Sequence, residues 1–133
     1  MPQRATGAFD VKVSPQNPDS EVAEAAGLSR MTIDKQFHGD LEATSKGEML
    51  ATRPEATGSG AYVALELVTG SLHGRKGSFV LYHHGTMTRG VPDLAISVVP
   101  DSGTGDLENL TGKMNIIIAP GGEHSYEFEY SLE

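Results

Sequence analysis

Short segments rich in Val, Ile, Thr, Phe and Tyr follow one another along the chain, and most of the links between them are only a few residues long. Turn residues mark the links at His73–Gly74–Arg75–Lys76, Arg89–Gly90 and Pro120–Gly121–Gly122–Glu123. Strands joined this tightly can pair only in antiparallel fashion, because a parallel pair needs a crossover of about a dozen residues or more. The segments predict strands over Ala5–Ser14, Ser29–His38, Leu41–Ala51, Ala61–Leu72, Gly77–Thr88, Leu94–Val99, Gly112–Ala119 and Ser125–Leu132. Eight antiparallel strands in one domain of 133 residues predict an all-β fold, a closed barrel or a sandwich. Hydrophobic residues at 38% are enough to build a core without covalent staples, and no segment repeats another.

Two stretches have helical character. Asp19–Gly27 carries an N-cap candidate, helix formers and a terminal glycine; at barely two turns it reads equally as a loose excursion between strands. Asp106–Leu110 places Leu107 and Leu110 three apart and reads as a single turn plugging one barrel end, with Asp106 as its cap.

Hairpin parity assigns the faces. A two- or four-residue turn after Leu72 puts even positions before it on the same face as odd positions after it. One face then carries Tyr62, Ala64, Glu66 and Val68 with Phe79, Leu81 and His83. The other carries Val63, Leu65 and Leu67 with Val80, Tyr82 and His84. Pairing Thr88 with Val91 adds Leu94, Ile96 and Val98 to the side of Leu81, His83 and Met87. The same count through the last hairpin groups Asn115 and Ile117 with Tyr126, Phe128 and Tyr130, leaving Glu127 and Glu129 toward water. The aromatic-rich face is assigned to the lumen. The second apolar face then lies outside, where a patch of that size predicts a subunit contact and a homodimer.

Three runs carry a family resemblance: Phe37-His38-Gly39-Asp40-Leu41-Glu42, Gly77-Ser78-Phe79-Val80-Leu81, and Ser97 through Leu107 with its Ser102-Gly103-Thr104-Gly105 loop. With Leu110 and Gly112 they resemble the bacterial family known as domain of unknown function 3224, over about Ala5 to Leu132. That family is similar in fold to allene oxide cyclase, so the resemblance implies a closed eight-stranded antiparallel β-barrel. Leu67 stands where the family pattern has a basic residue, which fits an altered outer contact. The family implies a fold and no activity.

Composition narrows the chemistry. Without cysteine the chain has no disulfide, thiolate, iron–sulfur or cysteine–zinc site. A net charge of −8 repels phosphate backbones and argues against nucleic acid. The lack of a long apolar run or leader predicts a cytoplasmic protein without a membrane partner. No cofactor or metal is expected: His83 and His84 are adjacent on a strand and point to opposite faces, while His38, His73 and His124 fall at strand ends or turns. The Asp101–Asp106 loop lacks the lysine of a phosphate loop, and Gly112 stands where a calcium loop needs glutamate, so it reads as structural. Asn109-Leu110-Thr111 is a chance glycosylation match, and no Gly-x-Ser-x-Gly elbow occurs.

Glu66 and His83 remain as the candidate catalytic pair, a carboxylate beside an imidazole on an apolar face. A structural polar pair is the alternative. The first expectation is a barrel that binds a small hydrophobic or aromatic molecule through Tyr62, Phe79, Leu81, Ile96, Asn115, Tyr126 and Phe128. The second is a cofactor-free cyclase or isomerase for a polyene or polyketide-like substrate, with Glu66 and His83 moving a proton and Tyr62 or Asn115 steadying the charge.

Overall fold

The structure, a computed structural model, describes residues 2–16, 21–52 and 57–132. Its strands are β1 (Gln3–Gln16), β2 (Ser29–Phe37), β3 (Leu41–Thr52), β4 (Gly60–Leu72), β5 (Arg75–Thr88), β6 (Val91–Val98), β7 (Leu110–Ile118) and β8 (His124–Leu132). They form a closed antiparallel barrel in sequence order, β8 pairing back onto β1. A five-residue helix α1 (Glu21–Ala25) follows β1, and a 3-10 turn (Gly105–Leu107) precedes β7. The first two residues of the Asp19–Gly27 stretch, where its N-cap candidate falls, lie outside the described residues. Among the described residues, no helix is long and apolar enough to cross a membrane.

Both tight hairpins are two-residue turns. Leu72 pairs with Arg75 around His73–Gly74, and Thr88 with Val91 around Arg89–Gly90. Each turn has positive φ at both central positions (47° and 80°, 46° and 86°), the combination whose twist matches that of the flanking strands. The even-length turns place the β4–β6 faces as the parity argument has them. Ala64, Glu66, Val68, Phe79, Leu81, His83, Ile96 and Val98 are buried inside, while Val63, Leu65, Leu67 and Tyr82 face out. Met87 and Leu94 share the inward side but sit exposed at the rim.

The last hairpin corrects the reading. Ile118 pairs with His124, leaving the odd number of five residues in the connection, so parity inverts. Met114 and Ile116 oppose Phe128 and Tyr126, and Asn115 sits across from Glu127 on the outer face, exposed. Asn115 is therefore no lumen residue. Glu127 and Glu129 do face outward, and Glu127 pairs with Arg4.

The two barrel ends differ. One, the closed end, holds the β2–β3, β4–β5 and β6–β7 connections. Phe37, Leu41, Leu72, Phe79, Phe128 and Tyr130 fill it, and Leu107 and Leu110 seal it. Phe79 stacks on Phe128 at 5.8 Å and 11°, and Phe128 on Tyr130 at 5.4 Å. The glycine-rich loop locks the seal onto β5: Thr104 N–H donates to Ser78 O at 2.8 Å, and Val80 N–H donates to Ser102 Oγ at 3.0 Å. A Cβ on Gly103 would lie 1.9 Å from Leu107 O, so this close turn needs glycine. Asp106 is not a cap: the cap position belongs to Thr104, which makes no side-chain cap bond. The other end is loose, because β6 and β7 share only the pairs Ile96–Met114 and Ser97–Lys113.

Candidate functional site

Between the packed core and the loose end lies a buried polar cluster. Strand alternation on β2 turns Ile33, Lys35 and Phe37 inward, all buried. Ser45 on β3, Glu66 on β4 and His83 on β5 enter the same layer. Glu66 is its centre. Lys35 Nζ donates to Glu66 Oε2 at 3.0 Å, and Ser45 Oγ donates to Oε1 at 2.7 Å. His83 Nε2 stands 2.6 Å from Oε2, at ion-pair distance but with its N–H off the line of a regular hydrogen bond. Lys35 also lies 5.2 Å from the Phe9 ring centroid and 5.7 Å from that of Phe37, where the ring faces favour a cation. Gly47 makes room for this layer, since a Cβ there would fall 2.3 Å from Leu65 O and 2.7 Å from Glu66 Cβ.

Burial by itself raises the Glu66 carboxyl. The His83 and Lys35 contacts and the Ser45 hydroxyl outweigh it and hold the group at about 2. A carboxylate so stabilised is a poor proton acceptor near neutrality, where an efficient general base titrates close to the working pH. Its chemistry here is to anchor the Lys35 ammonium and the His83 ring in the wall.

A pH consequence follows. The folded value lies below the unfolded one of 4.5, so the carboxylate contributes stability in full above pH 4.5 and loses it as pH falls toward 2. Each tenfold change in proton affinity is worth about 1.4 kcal/mol, which makes the full loss on the order of 3 kcal/mol. Urea titrations from pH 6 to pH 2 should show this acid limb in the native chain and a flatter one in Glu66→Gln. Superimposable limbs would contradict the assignment.

Above the cluster, Tyr62 faces His83 edge-on, ring centroids 6.3 Å apart. Burial and the Glu66 charge push its phenol up to about 12, so it stays a neutral hydroxyl. The ring lies over Gly85, its cross-strand partner, where a Cβ would come within 2.7 Å of Tyr62 Cε1. Tyr62 forms part of the wall of an open-end cavity of about 260 Å³, together with Met31, Met49, Ala51, Gly85, Met87 and Leu94.

Of the seven expected ligand residues, Tyr62 alone lines this cavity. Phe79, Leu81, Ile96, Tyr126 and Phe128 belong to the packed core. Tyr126 is also committed, its hydroxyl accepting from Leu41 N–H at 2.9 Å and donating to His38 O at 2.8 Å. Glu66 and His83 do come together, diagonally, as a two-residue turn requires. Lys35 and Ser45 are absent from the residues that the sequence singles out, although Lys35 sits in register between Ile33 and Phe37, a lysine at an inward β position. Among the remaining histidines, His73 contacts the Tyr130 hydroxyl and lies 3.6 Å from Asp40, and His38 lies 3.3 Å from Asp10. No group of three or more His, Asp or Glu among the described residues is placed to hold a metal ion.

The family model "Protein of unknown function (DUF3224)" matches residues 5–130. The chain belongs to the DUF3224 family. A DUF3224 protein of unknown function from Shewanella oneidensis MR-1, known from a crystal structure at 1.84 Å, is 47% identical, with a TM-score of 0.91 over 100% of this chain and 98% of that one. No curated protein matches. The DUF3224 description states no activity, so the functional argument rests on the cavity and the polar layer beneath it.

Proposed function

We propose that this DUF3224 barrel binds a small, largely apolar ring molecule in its open-end cavity, with the Tyr62 hydroxyl as the polar anchor. The observation that carries this reading is the cavity itself, a methionine-lined mouth in which the Tyr62 ring faces the buried layer and Thr52, Thr86 and Asp93 also border the wall. Methionine walls adapt to irregular apolar shapes, and a few fixed polar groups orient what enters. Size selects the class: a dry cavity of about 150 Å³ takes benzene, so 260 Å³ suits one or two rings. The ligand's matching group is a carbonyl or hydroxyl, since a neutral phenol both donates and accepts.

The closed eight-stranded barrel is the architecture implied by the likeness to allene oxide cyclase, which we carry as a fold-level analogy. It keeps a cyclase or isomerase in view as the rival. The geometry favours binding, because Glu66 is saturated by Lys35 and Ser45 and the mouth is small for a polyene.

Titration with 1-tetralone, a bicyclic ketone, tests the reading. Tyr62→Phe should weaken binding about tenfold, the worth of one hydrogen bond. Gly85→Ala should weaken it further by pushing the ring into the cavity, since a Cβ there lies 2.7 Å from Tyr62 Cε1. Affinity unchanged in both variants would overturn the role given to Tyr62.

A further inference from the structure

We infer that the outer face of β3–β5 is a two-fold interface between two copies of this chain. Leu50, Val63, Leu65, Leu67 and Tyr82 stand there side by side, each between 38% and 58% exposed, and all of them but Leu67 line a groove of about 880 Å³. Isolated surface leucines are ordinary, but a contiguous group rimmed by charge is the mark of an interaction surface. Both edges of each of these strands are already paired, so a partner must meet the face and not an edge.

Charge identifies the occupant. The chain carries −8 overall, yet the flank of this patch is balanced, with Arg30 3.1 Å from Glu48 and Lys46 2.8 Å from Asp34. A neutral flank beside apolar residues does not select a strongly charged partner, and it lets an acidic chain meet itself. The register adds direction. Leu65 lies level with Glu48 and Tyr82, Val63 and Arg30 with Leu50, and Leu67 and Asp34 with Lys46. A two-fold axis crossing the strands at Leu65 sets Leu65 on its own copy and Val63 against the second copy's Leu67. It also sets Arg30 against the second copy's Asp34. The apolar and charged rows of this face thus match their own two-fold copies, as an isologous dimer requires.

The proposal is independent of ligand binding, since the face lies on the opposite side of the wall from the cavity. Sedimentation at micromolar concentration should give twice 14.1 kDa for the native chain and 14.1 kDa for Leu65→Glu or Val63→Lys, with unchanged far-ultraviolet dichroism. Because the chain has no cysteine, Leu65→Cys should oxidise to a covalent dimer. Arg30→Asp should weaken association about tenfold or more, and adding Asp34→Arg should restore it. A native monomer, a trimer, or a dimer indifferent to Leu65→Glu would overturn the inference.

Discussion

Glu66→Ala is expected to lower the free energy of unfolding by about 3–5 kcal/mol, the usual consequence of removing one partner from a buried ion pair. The reason is what stays behind. Lys35 is 5% exposed, and its ammonium would stay in an apolar layer with no counter-charge. The attraction that is lost matters less than the stranded ammonium, and a second variant separates the two. Replacing the layer as Lys35→Met with Glu66→Leu removes both charges and should recover most of the loss, since apolar residues of similar volume substitute well for buried pairs. Urea unfolding of both variants measures this. A single-variant loss below about 1 kcal/mol would mean that the layer is hydrated and not sealed.

Phe128→Ala is expected to cost about 3–5 kcal/mol, the range for truncating a large buried aromatic side chain. Phe128 is fully buried, stacked between Phe79 and Tyr130 beneath the seal of Leu107 and Leu110. Its walls are held by strand pairing on both sides and cannot collapse far. The variant should therefore gain a dry void and a benzene-dependent rise in melting temperature that the native chain lacks. A small cost without a benzene response would show that the closed end is already loosely filled.

How far the sequence reveals this molecule depends on the turns. Where a turn has two residues and positive φ at both, as at His73–Gly74 and Arg89–Gly90, counting residues places every side chain of the flanking strands. That arithmetic alone brings Glu66 and His83 into one layer. It fails at Asn115 because the β7–β8 connection has five residues, one more than the turn Pro120–Glu123 read from the sequence, and one residue inverts a whole strand. Lys35 is legible in the alternation of Ile33, Lys35 and Phe37, but a lysine is habitually read as solvent-facing, and its partner lies 31 positions away. The division of the lumen into a filled half and an open mouth is not legible. It follows from how Leu107 and Leu110 fold over one end and from how few pairs join β6 to β7, and neither is a local property of the chain.

The methionines offer the most direct test of the central claim, that ligands enter the open-end cavity while the closed end stays packed. Met31, Met49 and Met87 line the mouth, and Met114 is buried in the core. In methionine-methyl spectra titrated with 1-tetralone, the account predicts saturable shifts at Met31, Met49 and Met87 and a stationary Met114. Saturable movement of Met114 with the three mouth methyls unmoved, or no saturable shift at any of them, would contradict it.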